Sequence, residues 1–191
     1  MKAAPGRWGA ALKLSLIGAA TVLAAAASVF AAPGVAGLTG AGLALIMTAI
    51  AVIDGRLLII PNELSALALA LGFLDLSLRN WSEMPAPALA ALIRCAVMAM
   101  AFFGFRLGYR RLRGREGMGL GDVKLAGVAG VWLDWASLPI VVEIAALSAL
   151  GFVLYRQVRA RQPLDPLSKL PFGAFLAPAI WICWLLARLG N

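Results

Sequence analysis

The sequence predicts an all-α, polytopic membrane protein, and three observations carry that prediction. Of the 191 residues, 62% are hydrophobic and only 14% are charged, with a mean hydropathy of +0.90. A soluble domain of this size has too little interior to bury so much apolar surface. The apolar residues are gathered into runs close to the ~20 residues that cross a hydrocarbon core. The basic residues fall on alternate connections between those runs, the distribution produced when Lys and Arg collect on the cytoplasmic side.

The first run covers residues 12–32, after Lys2, Arg7 and Lys13. It ends in Ala27-Ser28-Val29-Phe30-Ala31-Ala32, small residues of the kind that precede signal-peptide cleavage. The run is long for a signal h-region, so an uncleaved anchor is preferred. Residues 1–34 are read as an N-terminal transmembrane anchor or signal-like segment, and 35–191 as a six-helix domain.

Pro33-Gly34 turns the chain into a second span, 35–53, which ends at Asp54. Pro61 suits the first turn of a third span, 63–78, where its missing N–H is not needed, and Asn62 or Ser65 is expected to help cap it. A polar loop, 79–87, precedes a fourth span, 88–107. Arg106, Arg110, Arg111, Arg113 and Arg115 follow, a cluster no span is expected to contain. After the glycines at 117, 119 and 121 comes a shorter fifth span, 122–133, with Asp134-Trp135 as an interfacial turn. A sixth span, 136–155, leads into a basic stretch, 156–169, and a seventh span covers 171–189.

Charge then sets orientation. With the N-terminus cytoplasmic, that side receives every Lys and Arg except Arg79, Arg94 and Arg188. Asp54 and Asp122 both fall at the cytoplasmic face. The net charge of +8 is accounted for in this way, and no nucleic-acid partner is expected. Arg94 and Glu143 each lie inside a span at similar depth, and an intramembrane pair between them is expected because either charge alone is costly there.

Cys95 and Cys183 lie in separate apolar runs without CxxC spacing, which indicates neither a disulfide framework nor a zinc site. The chain has no histidine. That removes Ser-His-Asp and Cys-His nucleophiles and HExxH zinc hydrolysis, leaving carboxylates or a Ser-Lys pair for any hydrolysis. Ser168-Lys169 is the adjacent Ser-Lys combination, and its surroundings resemble no such site.

Taken singly, Asp54 and Asp122 read as ordinary interfacial charges. As a pair they fit a carboxylate dyad. Two carboxylates sharing a site cannot both ionise cheaply, so one proton is held between them. The ionised member can then activate water while the protonated one polarises a peptide carbonyl. Such chemistry needs no metal or cofactor.

The residues around both acids resemble the type IV prepilin peptidases, a family of GxGD aspartyl membrane proteases. Asp54 followed by Ile60-Pro61-Asn62 is similar to their D-x5-I-P-N/D motif. Gly119-Leu120-Gly121-Asp122-Val123-Lys124 is similar to their G-x-G-D-x-K segment, and Pro171-Phe172-Gly173-Ala174-Phe175-Leu176-Ala177 to their P-F-G-P-F-L-A stretch, with Ala174 where the family has proline. The resemblance spans 35–189. It implies a six-helix protease core, Asp54 and Asp122 as the catalytic dyad, and prepilin or pseudopilin substrates cut after a short basic leader. It places the protein in the bacterial inner membrane, in contact with the lipid bilayer, with its active site at the cytoplasmic face. The cysteine-rich cytoplasmic domain of the larger enzymes is missing. The resemblance is therefore to the short form associated with tight-adherence (Flp-type) pili, and it does not carry over the N-methylation activity.

Other residues of these motifs have two readings each. Gly119 and Gly121 give room for a substrate backbone or are simple loop residues. Lys124 supports the site or is a snorkelling interfacial cation. Pro171, Phe172 and Gly173 flank the site or only break the chain before the last helix, and Pro61 and Asn62 belong to the first motif. A presenilin-type protease would show Tyr-Asp and Pro-Ala-Leu, where this chain has Ile53-Asp54 and Ala177-Pro178-Ala179. The remaining alternative is a non-catalytic or transport-type subunit that uses the paired acids for proton or ion relay.

Overall fold

A computed structural model of the protein describes residues 6–114, 117–160 and 170–190. Lys2, Arg115, Arg161, Ser168 and Lys169 lie outside the described residues. Among those described, the chain forms α1 (Gly6–Ala31), α2 (Val35–Leu57), α3 (Asn62–Arg79), α4 (Ala86–Arg113), α5 (Leu120–Trp132), α6 (Ser137–Ala160) and α7 (Gly173–Leu189), with no strand. The all-α expectation holds.

Among the described residues, three helices are long and apolar enough to cross a membrane: α2, α4 and the Ser137–Arg159 part of α6. Their outward surfaces are apolar, with Leu38, Leu45, Met100, Phe103, Phe105 and Leu147 all exposed. That is the surface of a protein solvated by lipid. α1 contributes a shorter apolar stretch, Ser15–Ala31, and α7 is likewise short and apolar.

α5 has only 13 residues, about 20 Å at 1.5 Å per residue, and it is enclosed by protein rather than lipid. From Val123 to Trp132 every residue except Lys124 is buried, against α3, α4 and α7. Small residues make this possible: a Cβ on Gly130 would lie 2.5 Å from the Arg94 carbonyl carbon on α4. Close backbone approach at small residues is how membrane helices pack without a hydrophobic drive.

α2 and α7 form the second axis of the core. The Trp184 ring lies where a Cβ of Gly40 would be, 1.9 Å from Cη2. Trp132 meets Trp184 edge-on, with ring centroids 6.5 Å apart, and its indole N–H donates to the Ala68 carbonyl at 2.9 Å. α1 packs on α2 and α7. The Trp181 indole N–H donates to Ser28 Oγ at 2.9 Å, and Ser28 is fully buried. The Ala27–Ala32 end of the first run is thus docked on the bundle.

Several expectations require correction. α4 does not stop near residue 107 but continues through Arg106, Arg110, Arg111 and Arg113. No Pro or Gly interrupts the run Tyr109–Arg113, arginine is a good helix former, and cations suit a helix C-terminus. The stop is Gly114, in the left-handed region at φ 67°, whose N–H donates to the Arg110 carbonyl at 2.9 Å. Neither Asn62 nor Ser65 caps α3 through its side chain. Pro61 occupies the N-cap, and the Ser65 hydroxyl turns back to the Pro61 carbonyl at 3.3 Å.

Arg94 does not reach Glu143. Its Nε donates to the Gly130 carbonyl at 3.0 Å, and its charge faces Asp134 in the α5–α6 turn. Hydrogen bonds from Ser137 hold the Asp134 carboxyl below its ordinary range, and Arg94 adds to this. Glu143 is exposed on α6. The reason is helix adjacency: α4 packs closely against α5, and α6 against α7. A buried polar cluster that the sequence reading passed over lies between α2 and α3. Asp75, 3% exposed, accepts from the Thr39 hydroxyl at 2.6 Å and from Arg79 Nε at 2.9 Å.

Candidate active site

Asp54 lies in the last turn of α2 and Asp122 in the first turn of α5, and both are buried. Asp122 is the third helical residue of α5. Its Oδ2 accepts the Gly119 N–H at 3.1 Å, which satisfies a donor that the helix start leaves free. Asp54 has no such local partner for its side chain. Its Oδ2 accepts the Ala174 N–H, from the first turn of α7, at 2.8 Å.

α7 is what joins the two. Gly173 is packed on the Asp54 carboxyl, and the two acids lie within electrostatic reach of one another. The end of α2 and the starts of α5 and α7 therefore converge, with the positive end of α7 directed at the carboxyl groups.

Gly173 leaves no room for a side chain unless its neighbours move. A Cβ there would lie 2.9 Å from Asp54 Oδ2 and 2.5 Å from Ile60 Cδ1. Gly121 is similarly closed, since its Cβ would lie 2.8 Å from Ile60 Cβ. Gly119 is different: apart from Asp122 Oδ2 at 3.5 Å and the Gly121 nitrogen at 3.8 Å, the space beside it is open. Of the two glycines expected to make room for a substrate backbone, Gly121 instead makes room for Ile60.

The remaining motif residues fall into place around this centre. Lys124, on the exposed side of α5, donates through Nζ to Asn62 Oδ1 at 2.5 Å and ties α5 to the start of α3. Pro61 accepts the Ser65 N–H at 3.3 Å through its carbonyl. The Pro171 carbonyl also accepts from Ala174, at 3.3 Å. Phe172 packs its ring 6.3 Å from that of Phe102 on α4, which fixes the entrance to α7. All three motifs thus meet at one end of the bundle.

Two contributors were quoted with the motifs but given no role from sequence. Ala174, which stands where the resembled motif has proline, acts through its backbone N–H, a donor that proline lacks. Ile60 is an apolar residue buried between exposed Ile59 and half-buried Pro61. An isolated buried residue in a turn leaves no periodic pattern.

Fold and site together define a polytopic α-helical membrane protein with a buried carboxylate pair at one end of its bundle. The chain belongs to the type IV leader peptidase family, which matches residues 41–154. That stretch contains both acids and stops short of the Pro171–Ala177 motif. The chain is similar to the prepilin leader peptidase/N-methyltransferase of Aeromonas hydrophila, 31% identical over 168 residues, or 86% of this chain and 54% of that protein. It is 34% identical over 160 residues to the prepilin leader peptidase/N-methyltransferase of Burkholderia pseudomallei (strain K96243), covering 83% of this chain and 50% of that one. Similarity to the leader peptidase HopD of Salmonella typhimurium is 32% over 130 residues, 68% of this chain and 80% of that protein. The chain spans about half the length of the curated prepilin leader peptidase/N-methyltransferases it matches. No solved structure matches it.

Proposed function

We propose that this protein is an aspartic endopeptidase that removes the leader peptide of prepilin-like proteins, with Asp54 and Asp122 as its catalytic pair. The observation that carries the reading is convergence: two buried acids, at the end of α2 and the start of α5, meet at the start of α7. There the Ala174 N–H donates to Asp54 Oδ2 at 2.8 Å, and Gly173 shares the Ile60 side chain with Gly121. An electrostatically coupled carboxylate pair holds one proton between its members. The ionised carboxylate takes a proton from water, whose oxygen adds to the scissile carbonyl carbon. The protonated carboxyl donates to the carbonyl oxygen as it gains charge. Collapse of the tetrahedral intermediate breaks the C–N bond, and the proton taken from water passes to the leaving amine.

Membership of the leader peptidase family supports this substrate class. The distribution of Lys and Arg along the chain supports a cytoplasmic N-terminus and a site at the cytoplasmic face of the membrane, read here as the bacterial inner membrane. On this reading residues 35–191 are the six-helix peptidase domain and 1–34 an N-terminal anchor or signal-like segment, of which α1 packs on α2 and α7.

Incubation of the purified protein with a prepilin-like substrate should shorten the substrate at one position. Asp54→Asn and Asp122→Asn should each abolish cleavage while expression and thermal unfolding stay near wild type. Cleavage retained by either variant defeats the dyad, and proton flux without cleavage favours a transport role.

A further inference from the structure

Ile60 touches both glycines on which the acids depend. Its side chain lies against Gly121, next in sequence to Asp122, through Cβ, Cγ1 and Cδ1. At its far end it lies against Gly173 through Cδ1. Gly173 is in turn packed on the Asp54 carboxyl. Ile60 is 8% exposed, in the short connection between α2 and α3 rather than on a helix. An apolar side chain in this place occupies the gap between the start of α5 and the start of α7.

We infer that Ile60 is a positioning residue, a wedge whose contacts with Gly121 and Gly173 set the separation of Asp54 and Asp122. The inference rests on the dyad reading for its catalytic consequence but not for its geometry. Cδ1 reaches both glycines and is lost in valine, while Cβ and Cγ1, which also face Gly121, remain. Alanine removes everything beyond Cβ, so α5 and α7 can close toward one another. A displacement of reacting groups by ~1 Å costs on the order of 100-fold in rate.

The test compares Ile60→Val and Ile60→Ala with Leu43→Ala, which truncates a fully buried side chain eleven residues before Asp54 on α2. Ile60→Ala should lower kcat roughly 10- to 100-fold with KM changed less than about twofold, and should alter the width of the pH–rate profile. Ile60→Val, which loses the Cδ1 contact but keeps Cβ and Cγ1, should fall between wild type and Ile60→Ala. Leu43→Ala should lower thermal stability and leave the kcat of the folded protein and its pH profile unchanged. Wild-type kcat and pH profile in Ile60→Ala overturn the inference. So does a loss in Ile60→Ala that Leu43→Ala reproduces in proportion to lost stability.

A second measurement needs no activity. In a Cys95→Ala/Cys183→Ala background carrying Asp54→Cys and Asp122→Cys, thiol cross-linkers of graded length report the separation directly. Adding Ile60→Ala should change the length that reacts fastest, and Ile60→Val should change it less. An unchanged preference with Ile60→Ala defeats the wedge whether or not the protein cleaves a prepilin. Retained cleavage by Asp54→Asn defeats only the dyad.

Discussion

The Ala174 N–H donates to Asp54 Oδ2 at 2.8 Å, across 120 residues of chain. That one bond fixes the start of α7 on the end of α2 and brings Gly173 against the carboxyl group. The third motif is therefore part of the acid site, although its own residues carry no ionisable group.

Gly173→Ala tests the steric side of this arrangement. The added methyl would have to displace Asp54 Oδ2 or Ile60 Cδ1, since both lie under 3.0 Å from it. Cleavage should fall at least about tenfold, as expected when reacting groups are shifted by a fraction of an ångström. Binding of substrate, measured with the Asp122→Asn background to prevent turnover, should change little.

Lys124 and Asn62 are joined at 2.5 Å, but in an exposed setting where water competes. Each of Lys124→Ala and Asn62→Ala should cost about 0.5–1 kcal/mol in thermal or denaturant unfolding. The double variant should cost no more than the larger single one, the signature of one shared interaction. Loss of all cleavage in Lys124→Ala at unchanged stability would instead show a chemical role for the amine.

Activity should depend on pH in a bell. Below the acid limb both carboxyl groups hold protons and no base remains to activate water. Above the alkaline limb both are ionised and nothing donates to the carbonyl oxygen. The kcat/KM profile of the free enzyme gives the two macroscopic values, which belong to the pair rather than to either residue. Chelators should leave the rate unchanged, because no step of this chemistry uses a metal.

Arg94 and Glu143 should behave unequally. Arg94→Met removes a charged donor from the Gly130 carbonyl and should destabilise by about 1.5–3 kcal/mol. Glu143→Gln, on an exposed face of α6, should stay within about 0.5 kcal/mol. Thermal unfolding of both in the same detergent decides this, and equal losses would restore the pairing read from the sequence.

Composition and apolar run length determined that this chain is an all-α membrane protein, because no other solvent accommodates so much apolar surface. The sequence also marked Asp54 and Asp122, since acids at span ends stand out against apolar surroundings, and the three motifs pointed to the leader peptidase family before any geometry was known. Tertiary structure decided the rest. Helix ends shifted because a helix stops where its backbone is capped, as at Gly114, and not where hydropathy falls. Arg94 turned to Gly130 because depth along a span does not say which helix lies next to it. Gly121 and Gly173 proved to be seats for Ile60, a relation between three segments of chain that only their packing creates. The motifs around the two carboxylates carry the resemblance on which the proposed chemistry rests. The start of α7, brought to both of them by folding, is what gathers them into one site.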